Sequence, residues 1–255
     1  MSSPPAPSPA IPAATLVILR EVPGGPPELL MVERARAMAF AGGAMVFPGG
    51  RVDPGDHALA ASIGQPGDEG AARIAAIRET LEEVGLAVGL SPPPPSGIVA
   101  RLRAGLHAGR PFAELLAEAV LTIDPATLVP FARWRPAHLV SRIFDTRFYL
   151  VRLPDGVATA EVDGTENARL AWLTAAAALA EAAAGRMTLI YPTRRNLERL
   201  AQFGSVADIL ADAAAHPVTT IVPQVERRGD GDYLCIPAGL GYPVVAEPVT
   251  RAIRG

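Results

Sequence analysis

Residues Gly70–Leu86, GAARIAAIRETLEEVGL, restrict the fold more than any other stretch of the chain. Ile74, Ile77, Leu81 and Val84 recur at spacings of three and four, which predicts a helix with one face turned to a core, and Gly85 supplies its stop. The flanks of that stripe carry Arg78, Glu79, Glu82 and Glu83. Carboxylates three or four positions apart on a helix repel one another by roughly 0.2–0.5 kcal/mol per pair. A helix that crowds three of them together therefore invites a cation to offset the repulsion. Taken alone, an acidic helix face is ordinary solvated surface, so the neighbouring sequence has to decide.

Upstream stands FPGGRVDPGD, Phe47 to Asp56, whose glycines let the backbone turn sharply or approach a ligand closely. Before it, ATLVILREV (Ala14–Val22) and PELLMVERA (Pro27–Ala35) flank the breaker PGGPP and predict a hairpin; AMVFP (Ala44–Pro48) predicts a short buried strand. Downstream, SPPPPS (Ser91–Ser96) reads as a stiff connector, and helical patterns at Ile98–His107 and Phe112–Leu121 as an inserted cap. FDTRFYLVRLP (Phe144–Pro154) and ARLAWLT (Ala168–Thr174) read as strands, and Ala175–Ala184 as a helix. TRRNLERLAQF and SVADILADAAA form a helical pair before VTTIVPQV, a GDGD turn and YLCIP. Strands and helices mix without βαβ alternation, which favours an α/β protein of the α+β type with a mixed sheet between helices.

Composition narrows the function classes. With 255 residues, 49% of them apolar, the chain can bury a full core as one domain. The expected organisation is a disordered Pro-rich tail over residues 1–13, then one domain over 14–255 with inserted helices at about 97–122 and a C-terminal extension. A net charge of −3 and the lack of a basic block with interleaved aromatics exclude a general pull toward nucleic acid or an anionic membrane. No apolar run reaches the length of a membrane span, and the N-terminus lacks a basic region before an apolar stretch, so a cytoplasmic location is expected. Cys235, the single cysteine, reads as a buried structural thiol, and His57, His107, His138 and His216 show no metal-ligand spacing. All 23 basic residues are arginine, so any phosphate clamp must use the guanidinium fork or backbone N–H groups.

The glycine loop and acidic helix together resemble the signature of the Nudix hydrolases, a glycine loop followed by R-E-U-x-E-E-x-G-U with U a bulky aliphatic residue. The match runs Arg78, Glu79, Thr80, Leu81, Glu82, Glu83, Val84, Gly85, Leu86, with Gly50 and Asp56 in the place of the family's G-x5-E. Asp56 stands where glutamate is usual, and the spacer His57–Ile77 has 21 residues instead of seven. That insertion, HALAASIGQPGDEG, reads as a surface loop that leaves the helix free to dock.

The resemblance implies an α-β-α sandwich and a metal-dependent diphosphate hydrolase. It implies Mg²⁺ or Mn²⁺ held by Glu79, Glu82, Glu83 and the carbonyl of Gly49, with Arg78 orienting the cluster through Asp56 or a glutamate. Three carboxylates on one helix suit Mg²⁺ independently, because that ion takes a few carboxylates plus waters and substrate oxygens. As general base the candidates are Glu82, through a metal-bound water, and Glu166, with Glu161 in reserve.

Leu30–Gly50 is similar in part to the extension of the coenzyme A diphosphatase branch: Arg34, Ala35, Gly43 and Phe47–Gly50 match, while Ala39 falls where that pattern has a second arginine. The long spacer, RIFDTRFYL and YPTRRNLERLAQF also resemble the peroxisomal-type subgroup. The implied substrate is coenzyme A or an acyl-coenzyme A. Its binding residues would be Arg34, Arg36, Phe47, Gly50, Arg142 and Arg147, with the inserted helices as a wall. Trp134, Phe144 and Tyr191 have rings suited to adenine, a core position being the default for each. The partner expected is a small-molecule nucleoside diphosphate derivative, and a homodimer is left open. ADP-ribose or NADH as substrate, and a silent nucleotide-binding module, are the alternatives.

Overall fold

The computed structural model describes residues 10–35, 41–135, 143–154, 160–161 and 167–252. Strands β1 (Ile11–Val22) and β2 (Gly25–Arg34) form the expected hairpin, followed by the short strands β3 (Met45–Val46) and β4 (Gly49–Arg51). Helices α1 (Pro54–Ser62) and α2 (Asp68–Val84) come next, then β5 (Leu90–Ser91), α3 (Ser96–His107), α4 (Phe112–Glu118) and β6 (Thr122–Ile123). The second half holds β7 (Val129–Trp134), β8 (Phe144–Arg152), β9 (Asn167–Thr174), α5 (Ala175–Ala183), α6 (Tyr191–Leu200) and α7 (Val206–Ala215). It closes with β10 (Thr220–Ile221), β11 (Gln224–Arg228), β12 (Gly231–Cys235), β13 (Ala246–Pro248) and α8 (Val249–Ala252).

Eight strands make one mixed sheet in the order β10-β7-β8-β1-β2-β3, with β4 on β1 and β9 on β2. Strand β1 runs parallel to β8 over its length and antiparallel to β2 and β4. Its residues alternate between two apolar layers. Ala14, Leu16 and Ile18 pack with α1, α2, α3 and α4 on one face, whereas Val17 and Leu19 pack with α5, α6 and α7 on the other. A strand buried on both faces reads as a continuous apolar run, which is what LVIL is.

Two expectations are corrected. The ordered chain begins before residue 14: β1 starts at Ile11, because Ile11, Pro12 and Ala13 pair with Phe144, Asp145 and Thr146 of β8. The insertion between glycine loop and acidic helix is largely helical. Pro54 sits in the first turn of α1, and the Asp56 carboxylate accepts from the Asp53 N–H at 2.9 Å, which satisfies a donor at the helix start. Leu59 and Ala60 of α1 are buried in the α2 layer, so the insert adds core as well as surface.

The C-terminal three-stranded sheet β11-β12-β13 is docked by α6 through buried ions. Arg195 meets Glu247 at 3.2 Å and Glu198 at 2.9 Å, and Arg199 meets Asp212 of α7 at 2.7 Å. These arginines of YPTRRNLERL hold layers together.

Candidate active site

Helix α2 crosses the sheet with its apolar stripe down and delivers its carboxylates to the glycine strand β4. Ile74, Ile77, Leu81 and Val84 are fully buried, while Arg78, Glu79, Glu82 and Glu83 lie along the edge of that contact. Gly85 ends the helix in the left-handed region at φ +68°, where a side chain would be strained.

Arg78 is the hub. Its Nε and Nη2 hold the two Asp56 oxygens at 3.0 and 2.9 Å, Nη2 also donates to the Arg51 carbonyl at 3.0 Å, and Nη1 donates to Glu79 Oε1 at 2.9 Å. Glu82 lies 3.6 Å and Asp53 3.7 Å from the same guanidinium. Burial works against the charge on Arg78, but the bonds to Asp56 and Glu79 outweigh it and raise its pKa, so it stays a cation. The sequence left open whether Arg78 meets Asp56 or a glutamate, and the structure joins it to both.

Glycine is required where the strand meets the helix. A Cβ on Gly50 would fall 2.3 Å from Glu79 Oε1, so only a residue without one lets the carboxylate lie against the strand. Gly49 donates its N–H to Glu83 Oε2 at 2.9 Å. Glu79 is pushed up to about 7, chiefly by burial and further by Glu82, against the pull of Arg78. Glu83 is pushed up to about 8 by burial and by Glu79, partly countered by the Gly49 N–H, the Asn167 side chain and Arg34.

Among the described residues no three acidic, histidine or cysteine groups lie close enough to form a ready-made ion site. Arg78 holds Glu79 and draws on Glu82, which keeps the carboxylates from converging on one point. The donor set nonetheless fits a hard divalent cation. Two buried carboxylates under mutual repulsion, a third beside them and a glycine strand that leaves room above them are what such an ion would neutralise.

The other sequence candidates divide. Arg34, at the β2–β9 bulge opposite Asn167, has a buried Nε without a hydrogen bond and acts electrostatically on Glu83. Phe47 is 2% exposed and belongs to the apolar layer on the face away from α2, so it packs in the core instead of facing a substrate. Arg147 is tied to Glu69 at 3.3 Å, ten residues and about 15 Å along α2 from Glu79. It is held away from the carboxylates. Trp134 and Tyr191 are buried edge to face, as the default reading had it. The α3–α4 helices pack against α2 and α1 in the apolar layer, which makes them a buttress. Arg36, Arg142, Glu166 and His138 lie outside the described residues.

Asn167 is the site residue that sequence reasoning missed. It is 1% exposed, and its side chain favours the charged form of Glu83. A buried asparagine at the start of a strand is a polar group in need of a partner, but only the folded sheet shows which one.

The fold is that of the Nudix hydrolases, with the carboxylate-bearing helix set on its glycine strand, and it supports an enzyme that acts on diphosphate bonds. A Nudix hydrolase from Alicyclobacillus acidocaldarius superposes with a TM-score of 0.71 at 26% identity, covering 81% of this chain and 97% of its own. Looser likenesses include a MutT protein from Methanosarcina mazei Go1 at 16% identity (76% of this chain, 94% of that one, TM-score 0.43). The Nudix domain of Shewanella oneidensis NrtR, solved with ADP ribose, is similar at 12% identity (76% and 88%, TM-score 0.43). No family model and no curated protein matches the sequence.

Proposed function

We propose that the protein is a divalent-metal-dependent hydrolase of the diphosphate bridge in coenzyme A or an acyl-coenzyme A, yielding 3′,5′-ADP and (acyl-)4′-phosphopantetheine. The observation that carries the chemistry is the set of helix-borne carboxylates pressed onto the Gly49–Gly50 strand, with Glu79 and Glu83 raised in pKa chiefly by burial. Glu79, Glu82, Glu83 and the Gly49 carbonyl would hold Mg²⁺ or Mn²⁺. When bound, such an ion neutralises charge on the phosphoryl oxygens and acidifies a coordinated water.

The chain's own residues do the rest. Arg78, fixed by Asp56 and the Arg51 carbonyl, holds Glu79 in place. Gly49 orients Glu83 through its N–H, and Asn167 favours the charged carboxylate. Glu82 or Glu166 takes the proton of the attacking water; water adds to one phosphorus, the bridging P–O bond breaks, and two phosphomonoesters leave. Arg34, which acts electrostatically on Glu83, is the candidate for a diphosphate oxygen of the substrate, and Arg36 and Arg142 are the further candidates for the 3′-phosphate. The resemblance of Leu30–Gly50 to the coenzyme A diphosphatase extension supports that substrate.

The test is incubation of the purified protein with Mg²⁺ or Mn²⁺ and, separately, coenzyme A, acetyl-coenzyme A, ADP-ribose and NADH, with Glu83→Gln as control and products resolved by chromatography. Release of 3′,5′-ADP by wild type alone is expected. Cleavage of ADP-ribose or NADH only would move the substrate and keep the chemistry. Metal binding without turnover of any would establish a binding module instead.

A further inference from the structure

An α-helix leaves its last four carbonyls without intrahelical donors, and in α2 two of these belong to Glu82 and Glu83 themselves. All four are satisfied. The Leu81 carbonyl accepts from the Gly85 N–H at 3.1 Å, and the Val84 carbonyl from the Glu161 N–H at 3.0 Å. Arg103, from α3, supplies the other two: its Nε donates to the Glu82 carbonyl at 2.8 Å and its Nη2 to the Glu83 carbonyl at 2.7 Å. The same Nη2 reaches the Glu161 carbonyl at 2.8 Å. His107, one turn further along α3, brings Nε2 to 3.1 Å from the Glu82 carbonyl. The guanidinium lies against Gly85, where an added Cβ would stand 3.6 Å from Nη1.

This places a cation at the negative pole of the helix that carries the acidic side chains. The planar fork of arginine spans three carbonyls at once, which a lysine ammonium on a flexible stem does not reproduce. The backbone atoms it grips are those from which the Glu82 and Glu83 side chains spring, so any slack in this turn moves the carboxylates. We infer that Arg103 is a positioning residue for the acidic site: from the inserted helix it locks the last turn of α2 and ties that turn to the segment at Glu161. The inference rests on reading Glu82 and Glu83 as ion-holding groups.

The test compares full-length wild type, Arg103→Ala and Arg103→Lys by hydrogen exchange of the α2 C-terminal amides, by Mn²⁺ titration followed with electron paramagnetic resonance, and by kcat and KM on the diphosphate substrate. Arg103→Ala should speed exchange over the last turn and weaken Mn²⁺ binding about tenfold or more. It should lower kcat by up to about 10²-fold, as misplacement of catalytic groups does, with KM changed by no more than about threefold. Added guanidinium, but not sodium chloride at equal ionic strength, should recover part of the loss. Arg103→Lys should fall between the two. A folded Arg103→Ala with Mn²⁺ affinity and kcat near wild type overturns the inference; if the alanine variant does not fold, the same result in Arg103→Lys does so. Wild type that binds Mn²⁺ but cleaves no diphosphate would defeat the proposed function alone, and the Mn²⁺ shift would still decide on Arg103. Wild type that binds no Mn²⁺ defeats both.

Discussion

Replacing Asp56 with alanine should destabilise the protein well beyond the cost of an ordinary surface change. Asp56 is 2% exposed and accepts both arms of the Arg78 fork, at 3.0 and 2.9 Å. Removing one partner of a buried ion pair costs about 3–5 kcal/mol, because the other charge stays behind. Here Glu79, Glu82 and Asp53 remain near Arg78, which argues for the lower end, about 3 kcal/mol. The same substitution removes the acceptor for the Asp53 N–H at the start of α1, worth about 1 kcal/mol more. At about 2–4 °C per kcal/mol for a domain of this size, the sum of about 4 kcal/mol predicts a fall in Tm of about 8–16 °C. Thermal unfolding in metal-free buffer measures it. The paired variant Asp56→Leu with Arg78→Met removes both charges of the pair; measured at pH 6, below the value of about 7 to which Glu79 is raised, it strands no charged carboxylate there and should recover part of the loss. A Tm of Asp56→Ala close to wild type, or a paired variant no better than the single one, would refute the claim that this ion pair is buried and charged.

Gly50→Ala should keep the fold and lose metal affinity, because its Cβ would land 2.3 Å from Glu79 Oε1 and drive that carboxylate off the strand; Mn²⁺ titration beside a melting curve separates the two effects. The pKa shifts give a pH dependence of defined sign. Glu79 and Glu83 are raised to about 7 and about 8 in the fold, so their contribution is fully present below their unfolded value and is lost as pH rises through that window. Metal-free protein should therefore lose Tm between pH 5 and pH 9, saturating Mg²⁺ should largely abolish the decline, and a flat metal-free profile would contradict the burial of the pair. For the general base, whichever of Glu82→Gln and Glu166→Gln lowers kcat by about 10²–10⁴-fold holds the role, and near-normal kcat in Glu166→Gln with loss in Glu82→Gln assigns it to the helix.

Much of this arrangement is local and could be read directly. The hairpin, the helix carrying RETLEEVGL and the strand FDTRFYLVR follow from periods of two and about 3.6 and from the breakers between them. Helix α1 was also written locally, in the run D-P-G-D, but a nine-residue helix with weak amphipathy resembles a loop until its end is recognised as a cap. The failures are non-local. The parallel pairing that lengthens β1 to Ile11 depends on a strand more than a hundred residues away. Phe47 and Arg147 sit in stretches that resemble substrate-binding segments, yet which side of a sheet a residue faces and which helix end it reaches depend on register. Arg103 carries no signal in its own neighbourhood, since its partners are main-chain oxygens that no side-chain pattern encodes.

Asp56 both starts α1 and grips Arg78, and this gives the 21-residue spacer an unexpected status. The excursion leaves the site from one pinned residue, packs α1 against α2 and returns on α2, whose buried face holds Arg78 in place. Its turn at residues 63–67 is largely exposed. Closing a longer loop there costs only about 0.6 kcal/mol per doubling of length. Spacing between the glycine loop and the acidic helix is thus a property of the detour and not of the chemistry. A search that demands a fixed interval would pass over intact sites of this kind, and the same turn is a natural place to graft a tag or a second domain.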